Sequence, residues 1–236
     1  MQTIKINPSD LSVIFWNKVL DNAFLKQKTI QKDFFQKIDR LDKLRKDSDY
    51  NTGSISSSSS WLLFSMVLFF KPQIIMEVGS FIGKSTISMA LTADLNIDQN
   101  KCEIYCCDSS NKIIFPDIST TTIKQFHKTS STEMLKSFSS ETKFDIIPLD
   151  GRLQKEDFVL LSKNITEKTI FILDDFEGIE KGVINYLNLV NNSLISRKTH
   201  LLINTINNEI AGRYGLLEKS TTAVVIPTNY INFTNQ

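Results

Sequence analysis

The chain has 236 residues, of which 41% are hydrophobic, and its 27 basic side chains nearly balance its 26 acidic ones. This length allows one large domain, or one domain with an appendage. A formal net charge of +1 gives no electrostatic reason to expect nucleic-acid or membrane binding. The longest apolar run, residues 61–70, is half as long as the roughly 20 residues of a membrane span, so it predicts a buried helix.

The apolar periodicity alternates between helix and strand along the chain. In chain order it predicts a helix from about 11 to 24, helices over 26–47 and 57–70, a strand over 73–78, a helix over 85–95, strands over 102–107 and 122–127, a short helix from 131, a strand over 144–149, a helix over 153–162, a strand over 169–173, a helix over 179–190, and strands over 200–204 and 222–226. This alternation is typical of a mostly parallel α/β sheet with helices on both faces.

The connecting segments divide the chain into two parts. We predict an N-terminal helical extension over residues 1–50, whose first seven residues are expected to be a frayed or an edge segment, and a main domain over residues 51–236. The extension is expected to cover a binding site or to form a dimer interface. Residues 47–60 are a polar linker with a serine run, and Pro116 interrupts the irregular segment that precedes the third strand. Between the last two strands we predict a loop that carries Gly212, Arg213, Tyr214 and Gly215.

Three cysteines, Cys102, Cys106 and Cys107, lie in or beside one predicted strand. Their spacing is typical of neither a zinc site nor a disulfide framework. Free cysteine packs as a small hydrophobic residue. Because the N-terminus also has no signal-peptide pattern, the sequence predicts reduced cysteines in a cytoplasmic protein.

The central motif is a strand that ends in an acid and is followed by two glycines. Residues 74–86 read IIMEVGSFIGKST. Gly79 and Gly83 allow a tight turn and a close approach of a ligand to the backbone, and the helix start offers unpaired N–H groups. Asp108 ends the second strand, where an acid typically binds ribose hydroxyls. The motif therefore predicts a nucleoside-cofactor site at the carboxyl ends of parallel strands.

Two other glycine motifs fit less well. A dinucleotide fingerprint needs G-x-G-x-x-G, and the third glycine and the spacing are absent. A phosphate-binding P-loop needs G-x-x-x-x-G-K-[ST], and the segment from Gly79 to Ser85 is one residue short of it.

The pattern acid-x-Gly-x-x-x-Gly resembles motif I of the class I S-adenosylmethionine-dependent methyltransferases, and the resemblance covers roughly residues 50–228. It implies a Rossmann-like, doubly wound sheet of seven strands in the order 3-2-1-4-5-7-6, with strand 7 antiparallel. It also implies S-adenosylmethionine as the cofactor. The cofactor-binding residues that we predict on this basis are Glu77, Gly79, Ser80, Gly83, Ser85, Asp108, Ser130 and Asp150.

Some of these serines have a structural alternative. Ser130 begins the pattern Ser-Ser-Thr-Glu, which predicts a capping box with Glu133, and the family resemblance also places it near the adenine. Ser54 and Ser56 are further candidates for contact with the methionine carboxylate, although a loop and a helix cap explain the serine run equally well.

Three acids follow two neighbouring predicted strands. Asp150 follows the fourth strand, and Asp174 and Asp175 follow the fifth. Parallel neighbours lie about 4.8 Å apart, so these carboxylates are expected to share one crevice. The arrangement resembles the cation-dependent O-methyltransferases of the catechol, caffeoyl-CoA and macrocin types. It implies Mg²⁺ held by all three acids, with Asp150 and Asp174 as catalytic residues, whereas the alternative is that Asp175 complements a helix N-terminus.

The general base is not assigned by the resemblance. The catechol type has a lysine three residues after the strand-four acid, where this chain has Leu153, and related enzymes often have a histidine at the position of Arg152. His200 is expected in an edge or core role, and a role for His127 as base is a weaker alternative. Activation by a metal or by Asp150 itself stays open.

Three functional hypotheses follow. The first is methyl transfer to a small molecule, at a hydroxyl oxygen or alternatively a nitrogen, with Mg²⁺ assistance; the acceptor is the expected partner, and homodimerisation stays open. The second is a non-catalytic S-adenosylmethionine-binding subunit. The third is a P-loop NTPase, because Asp174-Asp175 after an apolar strand resembles a Walker B segment.

Overall fold

The computed structural model describes residues 8–26, 28–46, 54–93, 95, 101–109 and 121–231. The helices are α1 (Pro8–Lys26), α2 (Lys28–Lys46), α3 (Ser57–Phe70), α4 (Lys84–Ala93), α5 (Ser131–Lys136), α6 (Lys155–Leu161), α7 (Lys181–Asn191) and α8 (Asn208–Arg213), followed by a 3₁₀ turn over Thr228–Ile231. The strands are β1 (Ile74–Val78), β2 (Glu103–Asp108), β3 (Thr122–His127), β4 (Ile146–Leu149), β5 (Ile170–Leu173), β6 (His200–Ile203) and β7 (Ala223–Pro227). Our predictions for residues 1–7, 47–53 and 110–120 lie outside the described residues.

All seven strands form one sheet in the order β3-β2-β1-β4-β5-β7-β6. β7 is antiparallel to both of its neighbours, and the other pairs are parallel. The predicted Rossmann-like fold and its strand order are therefore confirmed. The order reverses between β1 and β4, where Val78 pairs with Leu149. Ligands of open α/β sheets bind at such a switch point, beyond the carboxyl ends of the strands.

The helix α8 lies in a segment that we predicted as a loop. The Asn207 side chain accepts a hydrogen bond from the backbone N–H of Ile210, at 2.9 Å, and so caps this helix. Ile210 and Ala211 are buried in the main core. Gly212 and Gly215 suggested a loop, but the burial of two apolar residues outweighs the weak helix propensity of glycine.

The N-terminal helices share a hydrophobic core with the main domain. The rings of Trp61 and Phe64 on α3 stack with centroids 4.6 Å apart, and Phe34 on α2 packs edge-on against both. On α1, the indole N–H of Trp16 donates to the carbonyl of Asn204 at 2.6 Å. The predicted lid or dimer role of this extension stays a prediction, but its removal would expose buried aromatic surface.

The apolar segment 61–70 and the cysteines lie in the interior. The segment forms most of α3 and is almost entirely buried, as predicted. Of the helices described in the structure, none combines the length and the apolar character needed to cross a membrane. Cys102, Cys106 and Cys107 are buried, which confirms the prediction that they are core residues.

Candidate cofactor and catalytic site

The glycine loop after β1 packs closely against the end of β2 and the segment that follows β4. The N–H groups of Gly79 and Ser80 donate to the carbonyl of Cys107 at the end of β2, at 2.9 and 3.2 Å. Gly79 has φ = +90°, and a Cβ atom there would lie 2.5 Å from the backbone nitrogen of Gly151. Gly83 also has a positive φ, of +84°. Only glycine fits at position 79, because the turn is left-handed and backbone atoms fill the space.

Asp108 lies at the end of β2, beside this loop. Its Oδ2 accepts a hydrogen bond from the backbone N–H of Phe81 at 2.8 Å. The carboxylate therefore holds the glycine loop in its turn, and it also lines the cavity described next. This is the position that the sequence predicts for a ribose-binding acid.

A cavity of about 690 Å³ opens at the carboxyl ends of β1, β2 and β4. This volume is within the usual range of small-molecule sites, about 300–1,000 Å³. Four of the predicted cofactor residues line it: Gly79, Asp108, Ser130 and Asp150. Seven further lining residues carry side-chain donor groups that the sequence analysis did not assign to the site, namely Ser109, Lys128, Thr129, Ser131, Arg152, Gln154 and Lys181.

Ser130 forms the predicted capping box and lines the cavity, and its contact with the adenine stays a prediction. Its hydroxyl accepts from the N–H of Glu133, whose carboxylate accepts from the N–H of Ser130, so the predicted capping box is confirmed. The buried Asp157 on α6 accepts from the Ser131 hydroxyl and from the N–H of Gln154, at 2.5 and 2.7 Å. Asp157 therefore links two residues that line the cavity, Ser131 and Gln154, to α6.

Four predicted cofactor residues, in or beside the glycine loop, are not among the residues that line the cavity. Glu77, Ser80, Gly83 and Ser85 are buried. Glu77 accepts a hydrogen bond from the hydroxyl of Thr86. Burial raises the pKa of Glu77 to about 7, although the hydroxyls of Ser85 and Thr86 oppose this shift. These residues shape the turn, and a direct cofactor contact from any of them stays a prediction.

We expect Glu77 to make stability depend on pH. The folded side chain keeps its proton up to about pH 7, whereas the unfolded one loses it near 4.5. The free energy of unfolding should therefore fall as the pH rises through this window, by at most about 1.4 kcal/mol per pH unit. When the free energy of unfolding is measured by urea denaturation at a series of pH values, it should fall less steeply with pH for Glu77→Gln than for wild type. The control Glu167→Gln, at an exposed position, should keep the wild-type dependence of unfolding free energy on pH. The same pH dependence in all three proteins would contradict the prediction.

The three acids after β4 and β5 are adjacent in the fold, but of the three only Asp150 lines the large cavity. Leu149 pairs with Leu173, so the two strand ends are neighbours as predicted. Asp150 lines the large cavity, whereas Asp174 is buried and accepts from the hydroxyl of Thr222 at 2.7 Å. Asp175 has φ = +50° and a partly exposed side chain.

Asp174 belongs to a buried polar network that includes the serine run. The hydroxyl of Thr222 lies 2.8 Å from that of Ser59, which is 2.8 Å from that of Ser220. Ser56 caps α3 by accepting from the N–H of Ser59. The serines that we treated as a linker therefore begin α3, and Ser56 has the capping role.

A lysine lies where the acids were expected to hold a metal ion. The Nζ atom of Lys181 is 2.5 Å from Oδ1 of Asp150 and 2.9 Å from Oδ2 of Asp175. Burial and the charge of Asp174 raise the pKa of Asp150 to about 7, against the opposing effect of Lys181. Burial lowers the pKa of Lys181, but its bonds to the two carboxylates outweigh that effect and raise it. Lys181 is therefore an ammonium ion.

The residues present do not fit the predicted magnesium site. Lys181 contacts two of the three predicted ligands, Asp150 and Asp175, and Thr222 engages the third, Asp174. Within the described parts of the chain, no group of three or more His, Cys, Asp or Glu side chains is arranged to hold a metal ion.

The sequence contains only a partial signal for the role of Lys181. It stands at the start of a predicted helix, where a cation meets the positive end of the helix dipole. Such a placement indicates a specific acidic partner, and two acids lie six and seven residues earlier. Asn185, one turn further along α7, donates to the carbonyl of Gly151 and accepts from the N–H of Leu153, which fixes the loop after β4.

Neither histidine lines the cavity that the structure describes. His127 ends β3 and pairs in register with Asp108, but its side chain is exposed. His200 begins β6, at the opposite end of the sheet, and lies 2.9 Å from the hydroxyl of Thr199. Asp150, which follows β4 and lines the cavity, is a carboxylate at the switch point that is placed to accept a proton.

Several solved structures that superimpose on this chain are named as methyltransferases. An O-methyltransferase from Bacillus cereus in complex with S-adenosylhomocysteine superimposes with a TM-score of 0.57 at 13% identity, covering 80% of this chain and 90% of its own. The O-methyltransferase TomG from Streptomyces achromogenes, in complex with S-adenosylmethionine, gives 0.55 at 12% identity, covering 80% and 88%. A methyltransferase from Geobacter sulfurreducens gives 0.51 at 8% identity, covering 83% and 87%.

The chain has the class I methyltransferase fold. At these identities the likeness establishes the fold alone, and no protein-family model and no curated protein matches the sequence. The methyltransferase fold counts against the P-loop hypothesis. Lys84 supports that rejection, because it is buried at the start of α4 rather than on the cavity wall, where a phosphate-binding lysine would have to lie.

Proposed function

We propose that the protein is an S-adenosylmethionine-dependent methyltransferase that acts on a small molecule, at a hydroxyl oxygen. The observation that carries the proposal is the glycine loop held by Asp108 at the switch point of the sheet. The cavity has the volume of a small-molecule site, and Gly79 lets the loop lie against the backbone of Gly151, where a Cβ atom would not fit.

The residues of the cavity divide into two groups. The glycine loop and Asp108 are suited to the polar parts of a nucleoside, because a carboxylate accepts hydrogen bonds from ribose hydroxyls. Asp150 lies at the other side of the loop, next to Gly151 and Lys181. We assign this side to the acceptor.

The proposed chemistry is a displacement at carbon. The cofactor, when bound, supplies a methyl group on a sulfonium sulfur, which keeps the electron pair of the broken S–C bond. The acceptor oxygen forms the new O–C bond, and Asp150 takes the hydroxyl proton. A carboxylate with a pKa of about 7 is suited to accept a proton near neutral pH. Magnesium assistance is not part of this proposal, because the predicted ligands are engaged with Lys181 and Thr222.

Calorimetry with S-adenosylhomocysteine tests the cofactor assignment. We expect Asp108→Ala to weaken binding by about 10- to 100-fold, since a hydrogen bond to a charged group is worth roughly 1.5–3 kcal/mol. Asp108→Asn should lose less, because its amide oxygen can still accept from Phe81. The control Glu156→Ala, on α6 and paired with Lys136, should bind as wild type does.

Unchanged affinity in Asp108→Ala, or no binding by the wild-type protein, would overturn the assignment. Turnover is tested by screening hydroxyl and amine acceptors with mass spectrometry for the gain of one methyl group. Transfer to a nitrogen would replace the oxygen assignment. Cofactor binding with no acceptor in a broad screen would favour the non-catalytic subunit.

A further inference from the structure

Lys181 begins α7 and reaches back over the ends of β4 and β5. Its ammonium group contacts Asp150 and Asp175, which follow those two strands. A cation in the first turn of a helix is unfavourable, because it faces the positive end of the helix dipole. The two carboxylates offset this cost, so the position of Lys181 depends on specific partners and not on solvation.

The geometry leaves no room for a divalent cation between the same oxygens. Mg²⁺ binds carboxylate oxygens at about 2.0–2.1 Å. The Nζ atom lies 2.5 and 2.9 Å from one oxygen of each carboxylate, in the space that such an ion would need. The ammonium also supplies the positive charge that the neighbouring acids require.

The ammonium keeps one donor for a ligand. A lysine has three N–H donors, and two of them are accounted for by Asp150 and Asp175. The Lys181 side chain is 28% exposed and lines the large cavity. Its third N–H is therefore available to an oxygen atom of a molecule bound beside Asp150.

We propose that the ammonium group of Lys181 takes the place of a metal ion in the part of the cavity where the acceptor binds. It occupies the position that the sequence assigns to Mg²⁺, and it positions the acceptor oxygen next to Asp150 by donating a hydrogen bond. The positioning role rests on the methyltransferase function proposed above, whereas the exclusion of a divalent cation does not.

The metal part is tested by titrating Mn²⁺ into the full-length protein, with detection by electron paramagnetic resonance. Wild type and Lys181→Arg, which keeps the cation, should show no saturable site at millimolar Mn²⁺. Lys181→Met should bind Mn²⁺ more tightly than wild type, because it frees the two carboxylates. Lys168→Met is the matched control, since Lys168 is exposed beyond the opposite end of β5, and it should behave as wild type does.

Stoichiometric Mn²⁺ binding by wild type that Asp150→Asn abolishes would overturn the proposal. The same titration curve for wild type and Lys181→Met would also overturn it. S-adenosylhomocysteine binding is measured on the same samples to keep the two proposals separate. If wild type does not bind it, the proposed methyltransferase function is wrong, whereas the manganese titration still decides whether Lys181 excludes a divalent cation.

The positioning role is tested with the acceptor found by the mass-spectrometric screen. We expect Lys181→Met to lower kcat by about 10- to 100-fold, with unchanged affinity for S-adenosylhomocysteine. Lys181→Arg should lower kcat less than Lys181→Met does. Excess chelator should leave wild-type turnover unchanged. Turnover that needs added Mg²⁺, or a Lys181→Met enzyme with wild-type kcat, would show that Lys181 has no such role.

Discussion

Replacing Gly79 with alanine is expected to remove cofactor binding and to destabilise the fold. The new Cβ atom would lie 2.5 Å from the nitrogen of Gly151, in a residue with φ = +90°. Strained backbone and overpacking each cost about 1–3 kcal/mol, so the total is about 2–6 kcal/mol. Relief of the overlap would also move the loop away from Asp150 and Asp108. Urea denaturation and calorimetry with S-adenosylhomocysteine measure the two effects.

Gly178 provides the matched control for this substitution. It also has a positive φ, of +57°, but a Cβ atom there would meet no atom within 4 Å. Gly178→Ala should therefore lose only the backbone cost, about 1–2 kcal/mol, and keep cofactor affinity. If both variants lost the same stability and affinity, the close contact with Gly151 would not be what requires glycine in the loop.

Replacing Gly182 with alanine should have the second large effect. Alanine normally stabilises a helix relative to glycine, but here the Cβ atom would lie 2.3 Å from the carbonyl oxygen of Asp174. Neither backbone segment can give way locally, so α7 must move away from the end of β5. We expect a loss of about 1–3 kcal/mol in unfolding free energy, measured by urea denaturation.

Gly212 on α8 is the control for this second prediction, because a Cβ atom there would meet nothing within 4 Å. Gly212→Ala should be neutral or stabilising by up to about 1 kcal/mol. Because Gly182 follows Lys181 directly, its substitution should also disturb the contacts of Lys181 with Asp150 and Asp175. A Gly182→Ala protein as stable as Gly212→Ala would show that α7 is not held closely against β5.

The effects of Gly79 and Gly182 differ in how far they could be predicted. Gly79 belongs to a local pattern of strand, acid, glycine and helix, so its role follows from residues close to it in sequence. Gly182 lies in an ordinary helical pattern, and its constraint comes from the approach of Asp174, eight residues earlier on another element. Sequence periodicity indicates a helix but does not indicate how closely it packs.

The sequence by itself determined the alternation of strands and helices, the glycine loop and the acid at the end of β2. These features depend on side-chain periodicity and on turns within a few residues, which the chain encodes locally. The strand order came from the family resemblance carried by those residues, and the structure confirms it.

Only the tertiary structure decided what the three acids do. Their positions after β4 and β5 were predictable, but the sequence did not show that Asp150 faces the cavity while Asp174 turns inward to Thr222. It also did not show that Lys181 lies between Asp150 and Asp175. Those outcomes depend on where α7 and β7 pack against β5. That packing is set by contacts between segments distant along the chain, and local propensity contains no information about it.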